Sequence, residues 1–220
     1  MNIKFVKKKN STMNVQQAYN KWADQYDTNN NKTRDLEAIS LRTTLANYQF
    51  EHSLEIGCGT GKNTEWLLTK ATKVVAVDLS EEMLAKARQK LIADNVQFVQ
   101  ADITNDWNFA NEKFELVTFS LVLEHIENLN EIFHKVAEII KPNGLVYVGE
   151  LHPFKQYTGT KARFNTADGL QIVTCFNHHI SDFTTAAISN DFEIVDIAEY
   201  FDDNDNSNIP RILTLLLRKR

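Results

Sequence analysis

From residue 50 to residue 150 short apolar runs alternate with amphipathic stretches, and no other feature of the chain restricts its fold so tightly. "SLEIG", "KVVAVDL", "VQFVQAD", "FELVTFSLVL" and "LVYVGEL" read as strands built largely from Val, Ile and Leu. Between them, "KNTEWLLTK", "SEEMLAKARQKLIAD" and "NLNEIFHKVAEIIKPNG" read as helices. In the second, Met83, Leu84, Ala87 and Leu91 form the buried face, Ser80 is a good N-cap, and Glu81 and Glu82 suit the positive end of the dipole. In the third, Leu129, Ile132, Phe133, Val136 and Ile140 share a face, and Pro142 with Gly144 ends the helix. Strands that are apolar along their whole length need cover on both sides of their sheet. The expected fold class is therefore α/β, a doubly wound parallel sheet with right-handed crossovers.

The flanks read differently. Residues 1–13 look like a disordered basic tail without the apolar stretch of a secretory signal. Residues 14–48 form a helical cap. Its first helix, "NVQQAYNKWADQYD", places Val15, Ala18, Trp22 and Tyr26 near one face, and a second runs from Thr33 to Tyr48 with Leu36, Ile39 and Leu45 as apolar positions. Residues 151–180 show no helical period and are rich in polar and aromatic side chains, as a substrate-binding insertion would be. Residues 181–220 comprise a helix capped by Ser181 and a strand pair around the acidic loop "DDNDNSN". A calcium loop counted from Asp203 would need Gly at Asn208 and Glu at Thr214, so this loop reads as a solvated turn. With no repeat or linker, residues 14–220 are expected to be a single domain, with the core at 50–150.

Composition removes several classes of function. A net charge of −5 gives no cause to expect nucleic acid or an anionic membrane as a partner. Two cysteines, Cys58 and Cys175, are too few for a disulfide framework, which points to a cytoplasmic setting. No apolar run approaches the roughly 20 residues that span a bilayer.

The turn "LEIGCGTGK" holds glycines at 57, 59 and 61, which let a backbone pass close to a ligand. It is not a P-loop, because the first glycine would fall on Ile56 and the hydroxyl on Asn63. It also misses the dinucleotide fingerprint, whose third small residue would be Lys62 or Thr64. "LEIGCGTG" resembles instead the first motif of the class I S-adenosylmethionine-dependent methyltransferases, of the small-molecule type found in ubiquinone- and biotin-pathway enzymes. "VVAVDLSEEML", "FVQADI", "FELVTFSLVLEHI" and "KPNGLVYVGE" resemble the next four motifs in order and spacing, and "AYNKWADQYD" resembles the cap helix of many members.

The resemblance implies a Rossmann-like seven-stranded sheet, mostly parallel with an antiparallel C-terminal strand and helices on both faces. It implies S-adenosyl-L-methionine as cofactor and S-adenosyl-L-homocysteine as product. Asp78 would accept the ribose hydroxyls and Asp102 the adenine amino group, with Ile103, Leu79 and Met83 around the adenine. Gly57, Gly59 and Gly61 would accommodate the methionine moiety, Glu55 would order the loop, Ser120 and Leu121 would lie under the sulfonium, and Tyr19 and Tyr26 would close over the cofactor.

Methyl transfer needs a base only when the nucleophile must lose a proton. His125 and His152, after the fourth and fifth strands, are the candidate catalytic bases. Phe154, Tyr157, Arg163 and His178 in the insertion are the candidate substrate contacts, with Arg163 suited to a carboxylate. No metal-ligand spacing occurs. The expected partner is a small-molecule methyl acceptor, with the chain a monomer or homodimer. A nicotinamide-dependent oxidoreductase, an RNA or protein methyltransferase and a non-catalytic cofactor-binding protein are the competing readings.

Overall fold

A computed structural model describes residues 12–166, 169–203 and 208–220. In chain order the elements are β1 (Thr12–Met13), α1 (Val15–Tyr26), α2 (Lys32–Leu45), β2 (Phe50–Ile56), α3 (Lys62–Leu67), β3 (Ala71–Asp78), α4 (Glu81–Lys90), β4 (Val96–Gln100) and β5 (Phe114–Ser120). A single 3₁₀ turn at Leu123–His125 leads to α5 (Leu129–Ile139), β6 (Ile140–Leu151), α6 (Pro153–Tyr157), β7 (Arg163–Thr166), β8 (Gly169–Val173), α7 (Ile180–Ser189), β9 (Phe192–Tyr200) and β10 (Ile212–Lys219).

Seven strands form one sheet in the order β4-β3-β2-β5-β6-β10-β9, with β10 antiparallel to both neighbours. Successive strand residues face opposite sides. Leu54, Ile56, Val75, Val77, Val117 and Phe119 thus pack with α5 and α7, while Val74, Ala76, Leu116 and Tyr147 pack with α2, α3 and α4. The order reverses between β3-β2 and β5-β6, which opens a crevice beyond the carboxyl ends of β2 and β5, where ligands bind in sheets of this type.

Several expectations need correction. Thr12 and Met13 are not tail but a strand, paired in parallel with Ile172 and Val173; the rest of the predicted tail, residues 1–11, lies outside the described residues. This strand completes a second, three-stranded sheet, β1-β8-β7, within which the insertion folds back on itself. The insertion also contains a short helix, α6, whose Pro153 occupies the first turn, where a missing N–H costs nothing. Helix α7 starts at Ile180 after His179, not after Ser181, because Asp182 accepts the His179 backbone N–H at 2.8 Å. Ile39 is 55% exposed, and α2 buries Glu37 and Ser40 instead, both satisfied on Tyr147. The acidic loop is described only in part, since residues 204–207 lie outside the described set. Among the described residues no helix is long and apolar enough to cross a membrane.

Candidate functional site

The crevice holds a cavity of about 250 Å³ lined by the ends of β2, β3 and β5 and roofed by α1. Its floor is the glycine turn. Gly57 has φ +75°, and a Cβ there would lie 2.1 Å from Val122 Cγ2, so only glycine lets the two loops meet. Gly59, at φ +54°, lines the cavity and donates its N–H to Asp78 Oδ2 at 2.8 Å. Gly61 does not line it; it starts α3 at φ +83° where a Cβ would press against Leu91 and Ala87, so its work is helix packing.

Asp78 stands at the end of β3, and its Oδ1 accepts the Ser80 N–H at 2.8 Å. Burial pushes its carboxyl up, opposed by the N–H donors of Ser80, Gly59 and Leu79. With three N–H donors on a carboxylate that can accept about four, acceptor capacity remains at the cavity wall. Asp102 lines the cavity after β4, with Oδ1 occupied by the Thr104 N–H and hydroxyl at 2.9 and 2.7 Å. Leu79, Met83 and Ile103 supply apolar walls, and Ser120 and Leu121 line the end beneath β5. Leu121 has φ 58°, a costly conformation for a branched side chain, held here by its N–H bond to Gly149 at 2.8 Å. Two carboxylates at separated strand ends, an apolar slot and a backbone-lined floor fit a nucleoside bearing an amino-acid tail.

Glu55 does not line the cavity and instead holds α3, the helix that follows the turn. Fully buried, it accepts the Thr64 hydroxyl at 2.5 Å, and burial pushes it up to about 8. Glu150 does the same for the opposite loop: its Oε1 accepts the N–H groups of Val122 and Leu123 at 2.9 and 2.8 Å. Burial, with Glu124 nearby, pushes Glu150 up to about 8 as well. The sequence signal for it was an acid inside the apolar run "LVYVGEL"; Glu37 gave none.

Helix α1 closes the site from above. Gln16 donates to the Leu79 carbonyl at 3.1 Å, and Asn20 accepts from Ser80 Oγ at 2.6 Å. This places Tyr19 and Tyr26 on the cavity wall. Tyr19 Oη lies 2.9 Å from His125 Nε2, while His125 Nδ1 lies 2.7 Å from the Thr174 carbonyl. A carbonyl only accepts, so Nδ1 carries the hydrogen and Nε2 accepts from the tyrosine. Burial pushes the Tyr19 hydroxyl well above its ordinary range. Glu124 and Cys175 cluster beside His125, but both ring nitrogens are engaged, and burial pushes the thiol up to about 12, so the trio is not preset as a metal site.

Beyond this wall lies a second cavity, about 500 Å³, which shares Tyr19, Tyr26 and Leu121 with the first. Trp22 and Phe164, stacked at 5.0 Å, line it together with Asn29, Asn30, Asn31, Glu124, Lys161, Arg163 and Arg211. Of the residues expected to touch substrate, only Arg163 is here. His152 is fully buried away from both cavities, its Nε2 on Glu199 at 2.9 Å and its Nδ1 accepting the Phe154 N–H, so it caps α6. Phe154 and Tyr157 are each 50% exposed on the outer surface of α6. His178 is spent on the Ile126 carbonyl at 2.7 Å.

Comparison with known proteins agrees with this geometry. Residues 54–148 match the family described as "Methyltransferase domain". An uncharacterized methyltransferase of Emericella nidulans is 26% identical over 217 residues, covering 81% of this chain and 76% of its own length. A malonyl-[acyl-carrier protein] O-methyltransferase of Enterobacter lignolyticus is 30% identical over 132 residues, covering 60% of this chain and 51% of that protein. The chain thus spans only about half the length of the latter. The N-methyltransferase NodS of Bradyrhizobium japonicum, solved with S-adenosyl-L-homocysteine, superposes with a TM-score of 0.69 at 17% identity, over 93% of this chain and 97% of that one. Over residues 54–148 the chain thus matches a methyltransferase domain, on a fold that it shares with solved S-adenosylmethionine-dependent methyltransferases.

Proposed function

We propose that this chain methylates an oxygen or nitrogen of a small molecule bound in the second cavity. The observation that carries this reading is the shared wall: Tyr19, Tyr26 and Leu121 face both cavities, so two ligands could meet there and nowhere else in the site. An O-methyltransferase and an N-methyltransferase among the similar proteins support the class of nucleophile.

S-adenosylmethionine, when bound, supplies a methyl group already activated on a sulfonium. Asp78 and Asp102 would hold its ribose and adenine, and Gly57, Gly59, Leu79, Met83, Ile103, Ser120 and Leu121 would enclose the rest. The protein's share of the chemistry is alignment and exclusion of water. The aromatic wall of Tyr19, Trp22 and Tyr26, with ring centroids 5.1–6.3 Å apart, provides both. Where the acceptor carries an O–H or N–H, Tyr19 Oη takes that proton while passing its own to His125 Nε2. His125 then becomes a cation, and its Nδ1–H keeps the Thr174 carbonyl.

Calorimetric titration with S-adenosylhomocysteine, S-adenosylmethionine, NADH and NADPH tests the cofactor. Micromolar binding of the first two alone is the expected result. Binding of a nicotinamide cofactor in their place would return the glycine turn to hydride chemistry.

A further inference from the structure

The second cavity has an unbalanced set of charges. Three cations and one carboxylate line it. Arg211 is already committed: Nε and Nη2 both donate to Asp202, and Nη1 donates to Thr33 Oγ1 at 3.0 Å. Glu124 is 6% exposed and burial pushes its carboxyl up, toward the neutral form. That leaves Lys161 and Arg163. Both are exposed, and neither side chain has a carboxylate partner among the described residues.

Position adds to charge. Lys161 and Arg163 line the second cavity but not the first, and both are exposed, whereas Tyr19, shared by the two cavities, is half-buried. Trp22 and Phe164, stacked on each other, give the cavity its apolar lining. The chain as a whole carries −5, so its long-range field does not gather anions and any such preference must be local.

We propose that the methyl acceptor is a small molecule with an oxyanionic end, a carboxylate or phosphonate, held by Lys161 and Arg163 at the mouth of this cavity. Its apolar body lies along Trp22 and Phe164, and its nucleophilic oxygen or nitrogen reaches Tyr19. The anion is a handle and not the methylated atom, because its lone pairs are occupied by N–H donors. This inference rests on the methyltransferase reading.

The test is calorimetry on the protein saturated with S-adenosylhomocysteine, using phenylacetate, phenylphosphonate and the uncharged phenylacetamide. At least one anion should bind, more weakly as salt is added, and should outcompete the amide. A doubly substituted variant, Lys161→Gln with Arg163→Gln, should lose roughly tenfold in anion affinity, as expected for removing charge-assisted hydrogen bonds at an open site. Its affinity for S-adenosylhomocysteine should stay unchanged. The tighter of the two anions identifies the headgroup. Equal binding of the amide, undiminished anion binding by the variant, or no binding by either anion overturns the proposal. Methyl ester formation from phenylacetate and S-adenosylmethionine overturns the handle assignment. Failure of S-adenosylhomocysteine itself to bind is a different result: it removes the methyltransferase reading and the anion proposal with it.

Discussion

The two cavities meet at one wall but are built on different principles. The cavity proposed for the cofactor rests on residues at the ends of β2, β3 and β5, fixed by the central sheet, under the roof of α1. The cavity proposed for the acceptor is assembled from the end of α1, residues 29–33, residues 160–165 and Arg211, which the sheet does not align. On this proposal, a scaffold that sets strand ends determines what cofactor can bind, whereas contacts between segments distant in sequence choose the acceptor. Chemistry common to many proteins can then persist while specificity changes.

The sharpest way to break this contrast is at the shared wall. His125→Gln should lower kcat by roughly 10²–10⁴-fold, the usual contribution of a general base, while leaving S-adenosylhomocysteine affinity within a few-fold. Tyr19→Phe should follow it in direction. Equal kcat for wild type and His125→Gln across pH 6–9 would remove the relay. Next comes Asp78→Ala, which should weaken S-adenosylhomocysteine by roughly a hundredfold through lost charge-assisted hydrogen bonds while the protein stays folded by circular dichroism. Tight binding by that folded variant contradicts the ribose assignment.

Gly57→Ala probes the scaffold itself. A Cβ 2.1 Å from Val122 Cγ2, at φ +75°, should cost about 2–5 kcal/mol in denaturant unfolding, from backbone strain and overpacking together. Adding Val122→Ala should recover part of it.

A smaller effect separates buried acid from binding. Glu55 and Glu150 are pushed up to about 8 by burial. The native state keeps those protons while the unfolded chain has released them, so stability should fall as pH rises from the ordinary carboxylate range to about 8, then level off. Glu55→Gln should flatten that fall in Tm, and an unaltered slope would mean that its burial has no net cost. Smallest of all is Phe154→Ser. Because Phe154 is 50% exposed and outside both cavities, stability should change by less than about 0.5 kcal/mol and kinetics not at all.

Legibility in the sequence followed the same division. The sheet was readable because its strands are contiguous apolar runs, and the cofactor side because Gly57, Gly59, Asp78 and Asp102 each sit next to a strand end. The acceptor side depends on partners more than a hundred residues apart, such as Trp22 with Phe164 and Tyr19 with His125, and no local pattern records such a pairing. Apolar periodicity also misjudged α2. It selected Ile39, whereas the buried position is Glu37, whose carboxylate is satisfied by Tyr147 at 3.1 Å and Asn63 at 3.0 Å. Likewise His152 looked catalytic from its place after β6, but a strand end can also be the start of a helix.

The short strand β1 carries a practical consequence. Thr12 and Met13 lie along Ile172 and Val173, Gln25 donates to the Asn165 carbonyl at 3.2 Å, and Trp22 stacks on Phe164. Two stretches of chain well over a hundred residues apart thus form one mechanical piece. Anyone grafting the second cavity of this protein onto a different scaffold must transplant residues 12–33 and 160–173 together, since either alone would arrive without the surface it packs against.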